Sequence, residues 1–227
     1  MKSPLYILSF MLALAAIFGS AITGIHLAGA KTLEANRTFL FQRSLVTVFG
    51  LAETEGMDAE QVANLVQRRI VADKILKDPE SDWETELIEA YEDDARTKLK
   101  GHGFRFRGRG FWAPISGILA LTPDHSKTLG LIILEQKETP GLGGRVAKSE
   151  FTLQFSQGVL TTTPTPGQRY LVVGATRPAG EEAARRHVDS ITGATRTSIA
   201  MDTILNEHLA RFHRALTNSA ASGVEGD

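Results

Sequence analysis

From Ser3 to Ala30 the chain carries no charged side chain when His26 is counted as neutral, and the run from Leu5 to Ile25 is mostly apolar. No other feature constrains the fold as strongly. Roughly 20 apolar residues in helical form span a bilayer, and this stretch is long enough. A cleaved signal peptide is the competing reading, since Lys2 is a basic start and Ala28-Gly29-Ala30 resembles a small-residue cleavage site. The apolar run exceeds the usual signal length, so a retained transmembrane anchor over residues 1–30 is expected. Lys2 lies on one side of it and Lys31, Arg37 and Arg43 on the other. The count of basic residues therefore does not favour an inside N-terminus, but long following domains translocate largely regardless of charge.

The 227 residues support one domain of ordinary size besides the anchor. Net charge is −1, with no basic block, so nucleic-acid binding has no electrostatic footprint. Cysteine is absent, which excludes disulfides, thiolate metal sites and a catalytic thiol. Zinc hydrolysis needs clustered ligands, but His208 and His213 are five apart in a helical run, and His102 and His187 lie in segments expected at the surface. A G-x-S-x-G serine elbow is missing too. The acidic cluster Glu84, Glu86, Glu89, Glu92, Asp93 and Asp94 reads as a solvated helical face rather than a cation site.

Residues 31–100 are expected to form a helical connector. Leu33, Phe39, Leu40, Leu45, Val46, Val48 and Phe49 suit an amphipathic helix continuing from the anchor. Asp58 with Gln61 three residues on makes a capping box that opens a second helix to about Leu76, and Trp83–Leu99 is a third, acidic candidate. Beyond Gly101 the periods shorten. Strands are expected at Phe104–Arg107, Ile118–Leu121, Leu129–Leu134, Phe151–Phe155 and Tyr170–Val173. A helical run then carries Ile199, Ile204, Leu205, His208, Leu209, Phe212 and Leu216. The fold class is α+β: an anchor, the connector, a mainly antiparallel sheet over residues 101–216 with a C-terminal helix, and a disordered tail at 217–227.

Two motifs carry the chemistry. Glu138-Thr139-Pro140-Gly141-Leu142-Gly143-Gly144 is a proline-fixed turn whose glycines let backbone approach a ligand closely, with Gly141 or Gly143 expected at positive φ. It is not a dinucleotide fingerprint, because no helix-forming run follows it. Asp189-Ser190-Ile191-Thr192-Gly193-Ala194-Thr195 leads into the final helical run, so Thr195 sits near a helix N-terminus, where free N–H groups favour a phosphate. A plain N-cap role for Thr192 or Thr195 is the simpler reading. Val173-Gly174-Ala175-Thr176 repeats the G-A-T but lacks the preceding Ser or Thr, and reads as a strand end.

The second motif resembles the D-x-x-[ST]-G-A-T sequence at which a flavin transferase esterifies FMN onto the final threonine. Together with E-T-P-G-L-G-G and the Gly108–Gly117 segment, which resembles a G-x-G-x-W pattern, it looks like the FMN-binding domain family. That family includes the C subunit of the Na+-translocating NADH:quinone oxidoreductase and the G subunit of the Rnf electron-transport complex. The resemblance covers about Gly101 to Leu216 and favours the first of these two branches. It implies covalent FMN on Thr195, an acceptor site shaped by Thr192, Gly193 and Ala194, and flavin contacts from Thr139, Gly141, Leu142, Gly143 and Trp112. It also implies partner subunits in a membrane redox complex, a flavin transferase in maturation, and a single-pass bacterial inner-membrane protein with an extracytoplasmic flavin domain. A free-standing flavinylated carrier and an anchored scaffold without flavin remain open alternatives.

Overall fold

The computed structural model describes residues 3–165 and 168–222, so Lys2, the basic start weighed above, and the chain beyond Ser222 lie outside the described residues. The chain forms two compact units, one up to Phe41 and one from Gln42 onward. Helix α1 (Pro4–Val48) is uninterrupted. Its proline sits in the first turn, where a missing N–H costs nothing. Every residue from Ser3 through Thr38 is exposed, and an 18-residue stretch reaches a mean hydropathy of 2.2, long and apolar enough to cross a membrane. The helix stops just before Gly50, whose φ of 61° is the left-handed conformation that ends helices.

In the second unit, α2 (Ala59–Arg69) opens with the expected capping box. Asp58 Oδ1 accepts the Gln61 N–H at 2.8 Å and Gln61 Oε1 accepts the Asp58 N–H at 3.1 Å. The rest of the expected connector differs. Strand β1 (Ile70–Lys77) replaces the end of the second helix, and β2 (Glu84–Tyr91) lies where a third was expected. The reason is visible in β2, where buried Thr85 and Leu87 alternate with exposed Glu84 and Glu86. The acids pair across the strands, Glu89 with Lys74 at 2.9 Å and Glu84 with Lys77 at 3.5 Å. Cross-strand charge pairs and a buried face of period two outweigh the helix propensity of glutamate.

Strands β3 (Leu99–Arg109), β4 (Pro114–Leu121) and β5 (Thr128–Glu135) complete an antiparallel meander in chain order, β1 to β5. Helix α5 (Thr195–Ser222) covers one face, where Phe104, Phe106 and Leu119 join Met201, Leu205, Leu209 and Phe212 in one core. The Phe104 and Phe212 rings stack at 4.5 Å. On the other face the end of α1 presses on the sheet: a Cβ at Gly103 would lie 2.7 Å from the Phe49 ring. Arg214 of α5 clamps Asp78 through two hydrogen bonds of 2.8 and 2.6 Å, holding that carboxyl far below its ordinary range.

Four smaller corrections follow from packing. Phe151–Phe155 is not a strand but α3 (Ser149–Thr152) running into a 3-10 turn (Leu153–Gln157). The two phenylalanines are buried four residues apart, a helical spacing, while Leu153 is exposed. A 3-10 turn, Gly143–Ala147, also follows the glycine loop directly. Helix α5 continues past Thr217 to Ser222, because no glycine intervenes before residue 223. His102 and His187 are not surface residues. His102 is half-buried with Nδ1 2.8 Å from His125 Nε2, and His187 is buried in β7 (His187–Asp189). Strand β7 pairs in parallel with β6 (Val172–Gly174), across the short α4 (Glu181–Arg185). Burial depresses the imidazole pKa of His102 and of His125, the latter to about 4.

Candidate functional site

The segment Asp189–Thr195 leaves β7 and becomes the start of α5. Between them Ala194 N–H donates to Ile191 O at 2.9 Å, closing a turn in which Gly193 has φ 80°. That is the value a type II turn requires at its third residue, so glycine is needed there. Ser198 fastens the turn from below: its Oγ accepts the Ile191 N–H at 3.0 Å and donates to Ala194 O at 3.1 Å. The first i→i−4 bond of α5 runs from Ser198 N–H to Ala194 O at 3.0 Å. Thr195, Arg196 and Thr197 therefore stand ahead of the helical ladder, with N–H groups at the positive end of a long dipole. Thr195 is exposed and Ala194 is buried beneath it. This arrangement presents a hydroxyl outward from a rigid support.

The motif is braced from the side by residues that no sequence motif marks. Gln154 grips the backbone of Asp189 at both atoms, accepting its N–H at 2.7 Å and donating to its carbonyl at 3.3 Å. Arg145 donates to the Thr192 carbonyl at 3.3 Å while pairing with Glu150 at 2.7 Å. A cleft of about 220 Å³ runs along this flank, lined by Arg145, Phe151, Gln154, Asp189 and Thr192 among others. Only the fold identifies Gln154 and Arg145, since both reach the motif from distant sequence.

The glycine loop comes to the same place. Thr139 O accepts the N–H groups of Leu142 at 3.1 Å and Gly144 at 3.0 Å, folding the loop tightly on itself. Leu142 lies over Gly193, where a Cβ would stand 3.5 Å from its Cδ2. Gly141 has φ 76° with nothing within 4 Å of a Cβ position, so it is a glycine for conformation and borders open space. Gly143 is not at positive φ, so of the two glycines expected there only Gly141 takes the left-handed backbone. It is a glycine for room, because a Cβ would collide with Thr197 Oγ1 and Glu138.

Trp112 arrives from the β3–β4 hairpin. Its backbone N–H donates to Glu138 Oε1 at 2.9 Å, which ties the hairpin to the glycine loop. The indole is 69% exposed and lies 4.7 Å from the Phe111 ring. The Arg196 guanidinium covers Phe111 at 4.9 Å, a cation–π contact that draws the hairpin to the helix start. Leu142 at 47% and Ile199 at 58% exposure flank the same region, Ile199 one helical turn beyond Thr195. Large apolar side chains left uncovered beside an outward hydroxyl make a platform for a flat aromatic ligand. Thr192, Gly193, Ala194, Thr195, Thr139, Gly141, Leu142, Gly143 and Trp112 thus belong to three segments joined by direct contacts. The second G-A-T copy is built differently: Gly174 ends β6, pairs with Asp189 and accepts the Ser190 N–H at 2.9 Å, and no helix begins at Thr176.

Comparison with known proteins accords with this geometry. Residues 110–210 match the FMN-binding domain family. The C subunit of the Na(+)-translocating NADH-quinone reductase of Pseudomonas aeruginosa is 27% identical over 87% of this chain and 90% of its own length. Its Vibrio anguillarum counterpart is 35% identical over a shorter match, 40% of this chain and 34% of its own. Among solved structures, Shewanella oneidensis NqrC superposes with a TM-score of 0.68 at 17% identity, covering 82% of this chain and 99% of that one. The equivalent protein from Parabacteroides distasonis gives 0.63 at 18% identity, covering 82% and 96%. Over residues 110–210 the chain matches the FMN-binding domain family, and in sequence and fold it is similar to these reductase C subunits.

Proposed function

We propose that this protein is a membrane-anchored electron carrier in which FMN is esterified through its phosphate to Thr195, working as one component of a membrane redox complex of the NADH-quinone reductase type. The observation that carries the reading is the exposed Thr195 hydroxyl, held on the first turn of α5 where three N–H groups precede the helical ladder. In maturation the threonine oxygen attacks the flavin phosphate of a flavin dinucleotide held by a flavin transferase: the P–O bond to the threonine forms as the pyrophosphate P–O bond breaks, the hydroxyl proton is lost, and the nucleoside monophosphate leaves. Arg196, one residue on, keeps a cation beside the phosphodiester. Thr192, Gly193 and Ala194 shape the acceptor turn, while Thr139, Gly141, Leu142, Gly143 and Trp112 line the side from which a flat ring would be supported. FMN, when bound, supplies the redox chemistry. The chain's own contribution is position and electrostatics, and the similarity to the Pseudomonas aeruginosa protein over most of the length supports a place among partner subunits. Full-length protein co-expressed with a flavin transferase should hold one FMN after denaturation and acid precipitation. Flavin released entirely into the supernatant would overturn the covalent reading.

The same proposal places the anchor in the bacterial inner membrane at about Pro4 to His26, with the chain from Lys31 onward outside the cytoplasm. It rests on the apolar span of α1 and on the size of the domain that follows. A reporter fused after Ser222 should be active only when of the type that works outside the cytoplasm. Activity of a cytoplasm-only reporter would reverse the orientation, and mature protein beginning at Lys31 would show cleavage in place of anchoring.

A further inference from the structure

Glu138 has no part in forming the phosphoester, yet it is buried at the junction of all three site segments, with 5% of its surface exposed. Oε1 accepts the backbone N–H groups of Trp112 at 2.9 Å and Ala113 at 3.3 Å, from the β3–β4 hairpin. Oε2 accepts the hydroxyl of Thr197 at 2.8 Å, from the first turn of α5. Its own N–H donates to Gln136 Oε1 at 2.8 Å. Two glycines make room for the carboxylate: a Cβ at Gly110 would stand 2.6 Å from Oε1, and one at Gly143 2.8 Å from Oε2. All three donors to the carboxylate are uncharged. Burying a carboxylate against neutral donors is costly, and an apolar residue of similar volume would hold a core without that cost. Here the charge is offset by backbone dipoles, including the positive end of α5.

We propose that Glu138 is the positioning residue of the flavin seat. It fixes the Trp112 hairpin and the Thr139–Gly143 loop against the helix start that carries Thr195, and its charge lowers the reduction potential of a flavin held there. The inference rests on the covalent FMN reading. A negative charge beside the ring opposes the gain of electrons, and in a site of reduced dielectric that opposition is not screened away.

The test uses full-length protein in detergent. In flavinylated protein, Glu138→Gln keeps shape and acceptor but removes charge, and should raise the midpoint potential. A tenfold change in the equilibrium constant for two-electron reduction is expected, about 30 mV. Thr197→Val removes a donor that offsets the charge, and should move the potential the other way. A residue that was merely structural would not give shifts of opposite sign. In a Thr195→Ala background, without attached flavin, Glu138→Ala should accelerate hydrogen exchange at the Trp112 and Ala113 amides at least tenfold. Should Glu138→Gln fail to fold, the Thr197→Val potential and the exchange rates carry the test. Potentials equal to wild type in the variants that fold, or unchanged exchange, would overturn the proposal. Wild-type protein that holds no covalent flavin would instead overturn the reading beneath it, and exchange would still decide the positioning role.

Discussion

Replacing Thr195 by alanine should abolish covalent flavin completely. Intact mass of wild-type protein co-expressed with a transferase should exceed the polypeptide by FMN minus water, and Thr195→Ala should show the polypeptide alone. The fold should survive, because Thr195 is exposed and the turn beneath it is held by Gly193, Ala194 and Ser198 rather than by the threonine side chain. Thr176→Ala is the matched control, since it removes the hydroxyl from the other G-A-T. That copy overlaps the end of a three-residue strand and begins no helix, so it offers no helix N-terminus to a phosphate. Covalent flavin that persists in Thr195→Ala, or disappears in Thr176→Ala, would assign the ester to the wrong residue.

The contrast between the two G-A-T copies shows what was legible in the sequence. The D-x-x-T-G-A-T string, the glycine loop and the amphipathic run of α5 are local signals, and each appears in the fold where its residues placed it. The three later strands of the meander were readable because their apolar runs are bounded by glycine, proline and turn residues. Strands β1 and β2 were not. Their glutamates and lysines look helical in isolation, and only pairing Lys74 with Glu89 and Lys77 with Glu84 across the ladder makes them strands. Phe151 and Phe155 failed for the opposite reason: a short apolar run has no clear period until one sees which of its residues face the core.

The braces of the site were illegible on other grounds. Arg145, Gln154 and Glu138 reach the acceptor turn, the β3–β4 hairpin and the helix start through contacts across 26 to 59 residues of sequence. Sequence reading picked out the residues expected to meet a ligand and quoted Glu138 as the start of the glycine-loop motif, but it gave Glu138 no role and did not mark Arg145 or Gln154. A functional turn recognised by its string has its precision set by side chains elsewhere, which is where mutations with unexpected effects should concentrate.

Gly143 is the clearest case, and its replacement should cost more stability than that of Gly141, although Gly141 is the one with the unusual backbone. At Gly141, φ is 76° and a Cβ would meet nothing within 4 Å, so alanine bears only the left-handed strain, about 1 kcal/mol. At Gly143 the backbone tolerates alanine, but the new carbon would fall 2.8 Å from Glu138 Oε2 and collide with Thr197 Oγ1. The 2.8 Å bond between those groups must then stretch or break, leaving a buried carboxylate oxygen short of its donor. Overpacking and a lost buried hydrogen bond together are worth about 2–4 kcal/mol. In full-length protein solubilised in detergent, the unfolding midpoint of Gly143→Ala should therefore fall well below that of Gly141→Ala. Trimming the obstacle should recover part of the loss, so Gly143→Ala combined with Thr197→Ala, which removes the colliding hydroxyl, should be less destabilised than the two single effects added. Equal midpoints for the two glycine variants, or strict additivity in the double variant, would mean that the loop yields to the extra carbon without disturbing Glu138. The close fit between loop, carboxylate and helix start would then not be what makes position 143 a glycine.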